Sequence, residues 1–117
     1  MNIQELEEKY YFHDSGINAI NFDTENKQLT FSIELCYWAQ EWHNEGDPEF
    51  MELELIFEGV TEYNGLTGEF ECLTILDGMV KDNKWRFNIL DELHSEYYEY
   101  DFTPSNLYVK HIRTFDD

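Results

Sequence analysis

The sequence predicts a mostly β domain: an antiparallel β-sandwich or curled barrel of about seven strands with a short N-terminal helix. Apolar and polar residues alternate with a period of two through most of the chain, which is typical of strands with one buried face. Aromatic residues make up 17% of the chain, and they pack well on a pleated surface. Helical segments do not recur between the alternating runs, which argues against a parallel βα architecture.

The first element in chain order is the predicted helix, residues 2–12, NIQELEEKYYF. Ile3, Leu6 and Tyr10 recur at helical spacing, and the acids lie early in the segment, where they suit the helix dipole. The polar stretch HDSG follows and is predicted to end the helix.

The strands follow, and each is a short run in which apolar residues occupy alternate positions. The predicted strands are 17–22, 29–38, 50–58, 69–76, 84–90, 96–102 and 107–115. Turn signals at Asp77-Gly78 and Asp82-Asn83 separate two of them, and 39–49 is predicted to be a loop. With the sheet spanning 17–115, the chain 1–117 is predicted to form a single β-rich domain.

Charge is the strongest compositional signal, because 7 Lys and Arg oppose 26 Asp and Glu, a formal net charge of -19. Such a field repels phosphates and anionic lipid, so neither direct nucleic-acid binding nor membrane binding is predicted. It attracts cations, including basic protein surfaces. The alternative interpretation is that the charge only keeps the protein soluble.

A cytoplasmic location is predicted, because the first ten residues, MNIQELEEKY, are polar and acidic and lack the apolar region of a signal peptide. The two cysteines, Cys36 and Cys72, are therefore expected to be free and packed, and they do not have metal-knuckle spacing. No cofactor is predicted.

Two polar stretches are candidate metal sites. His13 and Asp14 supply an imidazole and a carboxylate, and the loop 43–49 adds His43 and Asp47 beside a glycine. These residues support an alternative function, a domain that binds calcium or a transition metal. The competing interpretation is structural: a helix-to-strand junction at 13–16 and a solvated hairpin loop at 43–49.

Catalysis has little support in the sequence. There is no GxSxG elbow and no phosphate-binding glycine loop, and both cysteines fall within predicted strands. Glu34, Glu52 and Glu54 could supply paired carboxylates, but their alternation with core residues assigns them to the solvated face. We therefore predict no catalytic residues and no enzyme; a metal-dependent hydrolase is the alternative.

A surplus of aromatic side chains among acids favours protein binding instead. Seven acids and no base lie between Glu41 and Glu58, and this region is predicted to expose Trp42, His43, Glu45, Asp47 and Glu49 at one end of the domain. The residues predicted to contact a partner are Trp38, Trp42, Glu45, Asp47, Glu49, Glu52, Glu54, Tyr97 and Glu99.

The run YFHDSGINAINFDTENKQLTFSIEL, with the later ILDG at Ile75–Gly78, resembles a loose group of small acidic bacterial proteins. These open with a helix and a His-Asp-Ser or His-Asp-Ala motif. Most have no known function, and some are regarded as immunity proteins of toxin systems. The resemblance implies no catalytic residues, and His13 and Asp14 match the motif of the group.

The favoured hypothesis is a small cytosolic protein-binding module, an immunity-type inhibitor of a basic toxin or nuclease. The alternatives are the metal-binding domain described above and a structural or oligomeric domain without catalysis, such as a homodimer.

Overall fold

The computed structural model of the protein describes residues 1–36, 39–47 and 49–115, with side chains up to Arg113. Its elements are α1 (Ile3–Lys9), β1 (Gly16–Asp23), β2 (Gln28–Cys36), β3 (Phe50–Glu58), β4 (Gly68–Lys81), β5 (Lys84–Asp91), β6 (Glu96–Phe102) and β7 (Asn106–Phe115). All strand pairs are antiparallel and form one sheet in the order β6-β5-β4-β1-β2-β3-β7. The predicted mostly β class, the seven strands and the N-terminal helix are confirmed.

The strands form one strongly curled sheet rather than two packed sheets. Phe57 on β3 and Phe102 on β6 have ring centroids 4.7 Å apart, although five strand spacings separate them in the sheet. Those spacings would cover roughly 24 Å in a flat sheet. The sheet therefore wraps around its own core, but no ladder among the described residues joins β6 to β7, so it does not close.

The core lies on the concave inner face of this sheet. Leu29, Phe31, Ile33 and Leu35 on β2 are each fully buried there, as the alternating pattern predicted. Phe31 is central, because its ring contacts rings from β3, β5 and β6. The convex face, called here the outer face, carries the polar positions of the same strands.

The helix is shorter than predicted, spanning Ile3–Lys9 instead of residues 2–12. Asn2 caps it, because its side chain accepts from the Glu5 N–H while the Glu5 side chain accepts from the Asn2 N–H. The backbone turns extended at Tyr10 (φ -122°, ψ 133°). This turn allows Phe12, 1% exposed, to enter the core rather than follow the helical surface.

The predicted turn at Asp77-Gly78 is wrong, because β4 continues through both residues to Lys81. The turn lies only at Asp82-Asn83, where both residues have positive φ, as a tight hairpin requires. Gly78 serves close packing instead: a Cβ there would lie 2.9 Å from ring atoms of both Phe87 and Trp85.

Strand β7 also departs from simple alternation. The pairing of β3 with β7 shifts between Glu52, opposite Arg113, and Leu53, opposite His111, so Ile112 is an extra residue. The bulge places Arg113 on the outer face, opposite Glu52. There the Arg113 Nε donates to the Glu52 Oε2 at 2.7 Å.

The two cysteines are free, as predicted, but only Cys36 is packed. Cys72 is exposed, and its φ is 58°. The expectation that both would be packed is wrong for Cys72, because this residue lies in the irregular part of β4 between Glu69 and Leu73.

Candidate protein-binding surface

The loop between β2 and β3 is fastened to the segment that follows α1. Gln40 is 4% exposed; its Nε2 donates to the Tyr11 and Cys36 carbonyls at 2.6 and 2.9 Å, and its Oε1 accepts from the Tyr11 N–H. The Trp42 Nε1 donates to the Lys9 carbonyl at 3.0 Å. These bonds fix the base of the loop, so its side chains are presented on a supported segment.

The tip of this loop is a turn held by its own residues. The Asp47 N–H donates to the Asn44 carbonyl and the Asp47 Oδ2 accepts from the Asn44 N–H, both at 3.0 Å. Gly46 has φ 93°, which favours glycine. Trp42, Glu45 and Glu49 are exposed as predicted, whereas His43 and Asp47 are half-buried.

The outer face beside this loop carries acids from adjacent strands. Glu34 on β2 lies directly opposite Glu52 on β3, an arrangement that is destabilising for two like charges. Arg113 partly offsets it through its bond to Glu52, and Lys110 lies opposite Glu54 in the next outward-facing row. Glu52 and Glu54, both predicted to bind a partner, are half-buried on this face.

A bulge in β4 turns this face into a groove. Ile17 pairs with Leu73, and Ala19 pairs with Glu69. Two steps along β1 therefore lie opposite four steps along β4, and the extra residues of β4 form the bulge. The resulting open groove has a volume of about 670 Å³. Its lining residues are Asn18, Ala19, Ser32, Glu52, Glu69, Phe70 and Glu71. Small side chains from β1 and β2 face carboxylates on β3 and β4.

Glu69 and Glu71 line this groove, although neither is among the residues predicted to contact a partner. The sequence predicts only that both acids lie in the strand 69–76. The bulge that sets the two acids beside the groove depends on how β4 pairs with β1, and no local pattern specifies it.

The predicted residues Tyr97 and Glu99 lie elsewhere, on the edge strand β6. The residues that line the groove with Glu52 include none from β6, so Tyr97 and Glu99 have no part in it. The acids here already have partners: Arg86 donates to both oxygens of Asp101, and the Tyr97 hydroxyl donates to Glu99. Arg86 lowers the pKa of Asp101 through these bonds.

Of the remaining predicted contact residues, Trp38 lies outside the described residues. The structure brings Trp42, Glu45, Asp47 and Glu49 into one loop, which joins the ends of the strands that carry Glu34 and Glu52. The loop and the groove therefore form a connected acidic region, and β6 forms a separate one.

The His13-Asp14 stretch lies between α1 and β1 in the chain, and it contacts β4. The His13 Nδ1 is 2.7 Å from the Leu76 carbonyl, and its Nε2 is 3.5 Å from the Asp14 Oδ2. The bond to Leu76, together with the carboxylates of Asp14 and Asp77, raises the pKa of His13. Across the described ranges, no group of three or more His, Cys, Asp or Glu side chains is arranged to hold a metal ion.

A scan against protein-family models, a search of curated proteins and a search of solved structures each found no match to this chain. Within the described residues, no helix has both the length and the apolar character needed to cross a bilayer.

Proposed function

We propose that this protein is a small acidic module of the cytoplasm that binds a basic protein partner, as an immunity-type inhibitor of a toxin or nuclease would. The observation that carries the proposal is the groove on the outer face. Its floor has small side chains at Ala19 and Ser32, and the carboxylates of Glu52, Glu69 and Glu71 line it. A lysine or arginine side chain fits this chemistry, because a small floor leaves room for its stem and the acids meet its charge.

The adjoining loop extends the same charge beyond the groove. Glu45 and Glu49 are exposed there, on a base fixed by Gln40 and Trp42. A supported acidic segment loses little conformational freedom on binding, which favours affinity. The net charge of -19 steers a basic partner toward the surface before contact, and aromatic side chains such as Trp42 then contribute apolar contacts.

Calorimetry with the purified basic products of neighbouring genes tests the proposal. We expect binding that weakens as salt rises from about 0.05 to 0.5 M, because added salt shortens the screening length. In E69Q/E71Q, affinity for the partner should fall by about 2- to 30-fold, since each exposed ion pair contributes roughly 0.2–1 kcal/mol.

The matched control is E25Q/E62Q, which makes the same change in net charge at two exposed residues that do not line the groove. Affinity for the partner should change little in this variant. If no such protein binds, if binding is insensitive to salt, or if the two double variants lose affinity equally, the proposed function is wrong.

A further inference from the structure

A second concave site lies between the end of α1 and the start of the β2–β3 loop. This pocket has a volume of about 400 Å³. The side chains that matter for its chemistry are Glu8, Tyr10, Tyr11, Gln40, Glu41 and Trp42. It therefore combines three aromatic rings with three exposed acids, of which Glu7 already accepts from the Val80 N–H. It is distinct from the groove on the outer face.

The aromatic walls are held in place by contacts already described for the loop. Trp42 stands edge-on to Tyr10 with ring centroids 6.1 Å apart, and its Nε1 is bonded to the Lys9 carbonyl. Tyr11 is 53% exposed and Trp42 is 36% exposed, so both rings remain accessible on the pocket side of the molecule. Gln40 fixes the spacing of the two walls through its bonds to Tyr11.

A cation already lies against one of these rings. The Lys9 Nζ is 5.6 Å from the centroid of the Tyr10 ring, within the range of a cation–π interaction. The same ring contacts Trp42, whose indole has the most favourable face for a cation among the aromatic side chains. Glu8 and Glu41 add negative charge at the pocket, so the aromatic rings and the acids both favour a cation.

We propose that this pocket binds the ammonium or guanidinium head of a lysine or arginine side chain from the basic partner. The inference rests on the proposed function for the source of the side chain. The chemistry of the pocket itself is testable without any partner. Lys9 competes for the same site in the free protein, so removing its charge should improve binding of an added cation.

The test uses Nα-acetyl-lysine methylamide as the probe and Nα-acetyl-norleucine methylamide as its uncharged analogue. Binding is followed by ¹H–¹⁵N NMR, with the backbone N–H groups of Tyr11 and Gln40 as reporters in every variant and the Trp42 indole N–H as a further reporter where Trp42 is kept. We expect the lysine probe to bind about 2- to 30-fold more tightly than the norleucine probe, as a cation–π contact aided by nearby acids would give. Equal binding of the two probes would overturn the proposal.

Variants then locate the site. W42A should abolish the preference for the lysine probe and W42F should reduce it, because phenylalanine is the weaker cation–π partner. E8Q/E41Q changes only charge and should reduce the preference, whereas E25Q/E92Q, with the same change in net charge elsewhere, should not. K9Q should tighten binding of the lysine probe.

These outcomes separate this inference from the proposed function. If the lysine probe shows no preference but E69Q/E71Q weakens partner binding, only the pocket proposal fails. If the probe binds at Trp42 but no basic protein binds anywhere, the proposed function fails and the pocket remains a cation site. A lysine preference that survives both W42A and E8Q/E41Q also overturns the pocket proposal.

Discussion

Residues 13–16 and residues 43–47 each place a histidine and an aspartate in a short polar stretch, yet they are held by different kinds of bond. The first stretch is tied to distant strands. Ser15 is fully buried, its Oγ accepts from the Cys36 N–H at 2.9 Å, and its carbonyl accepts from the Ile75 N–H at 2.7 Å. The Asp14 N–H donates to the Ile75 carbonyl. Residues 13–16 therefore hydrogen-bond both to β2 and to β4, the strands on either side of β1.

The second stretch closes mainly on itself. The His43 N–H donates to the Gln40 carbonyl, and Asn44 and Asp47 exchange two hydrogen bonds. These bonds span only three residues, and Glu45 is exposed. Long-range bonds make 13–16 part of the framework, whereas the bonds given above for 43–47 are local and leave Glu45 exposed. Two stretches of similar composition can therefore be held by long-range bonds in one place and by local bonds in another.

The largest expected effect comes from Ser15→Ala. This change leaves the Cys36 N–H without its acceptor inside the protein, which costs about 1–3 kcal/mol of unfolding free energy. Urea denaturation measures the loss. Ser32→Ala, on the half-buried outer face, is the matched control and should change the free energy of unfolding by no more than about 0.5 kcal/mol. If Ser15→Ala and Ser32→Ala lower the free energy of unfolding equally, residues 13–16 do not have the structural role assigned to them.

The next effect is Asp14→Ala, expected to cost about 1 kcal/mol of unfolding free energy. Asp14 has φ 65°, a region that aspartate tolerates better than alanine. Asp14→Gly, which has no Cβ, is the control and should be less destabilising than Asp14→Ala in the same urea experiment. If the two variants lose the same free energy, the backbone conformation is not the cause.

Asp47→Ala should have a smaller effect, about 0.5 kcal/mol, because it removes only the side-chain acceptor of one local turn. Its free energy of unfolding is measured alongside that of Ser15→Ala. A loss as large as that of Ser15→Ala would show that the loop tip contributes to the framework too, and the contrast between the two stretches would fail.

Much of the sheet was predictable because its strands obey a local rule. The observed bounds of Phe50–Glu58 and Glu96–Phe102 match the prediction, since alternation runs through both and is interrupted only at the buried Ile56. The missed features all depend on contacts between distant residues. Gly78 looked like a turn because glycine serves both turns and close packing, and only the approach of Phe87 and Trp85 distinguishes the two.

The candidate site shows the same division. The acidic loop was predictable because its acids are consecutive in sequence. The groove was not, because Glu69 approaches Glu52 only through the pairing of four strands and a bulge. Tyr97 and Glu99 were grouped with the loop on composition alone, and the order of strands in the sheet places them on its far edge.

A pH effect on His13 follows from its contacts. The bond to Leu76 and the charges of Asp14 and Asp77 raise the pKa of His13 above 6.5 in the folded protein. Because the folded pKa is the higher one, the stabilisation is fully present below about pH 6.5 and is lost as pH rises through the folded pKa. NMR titration of His13 measures the pKa, and Asp14→Asn should lower it. A pKa at or below 6.5 would contradict the geometry.

The smallest expected effect is that of metal ions. Zinc sites use about four ligands and calcium sites use six to eight oxygens. At 13–16 the Nδ1 of His13 is already bonded to the Leu76 carbonyl, so only the His13 Nε2 and the Asp14 carboxylate remain as metal ligands. At the loop tip, one Asp47 oxygen already accepts from the Asn44 N–H. We therefore expect no change in Tm on adding zinc, calcium or EDTA. A rise in Tm that His13→Ala or Asp47→Ala abolishes would make that stretch a metal site, and the assignment of one stretch to structure and the other to protein binding would have to be revised.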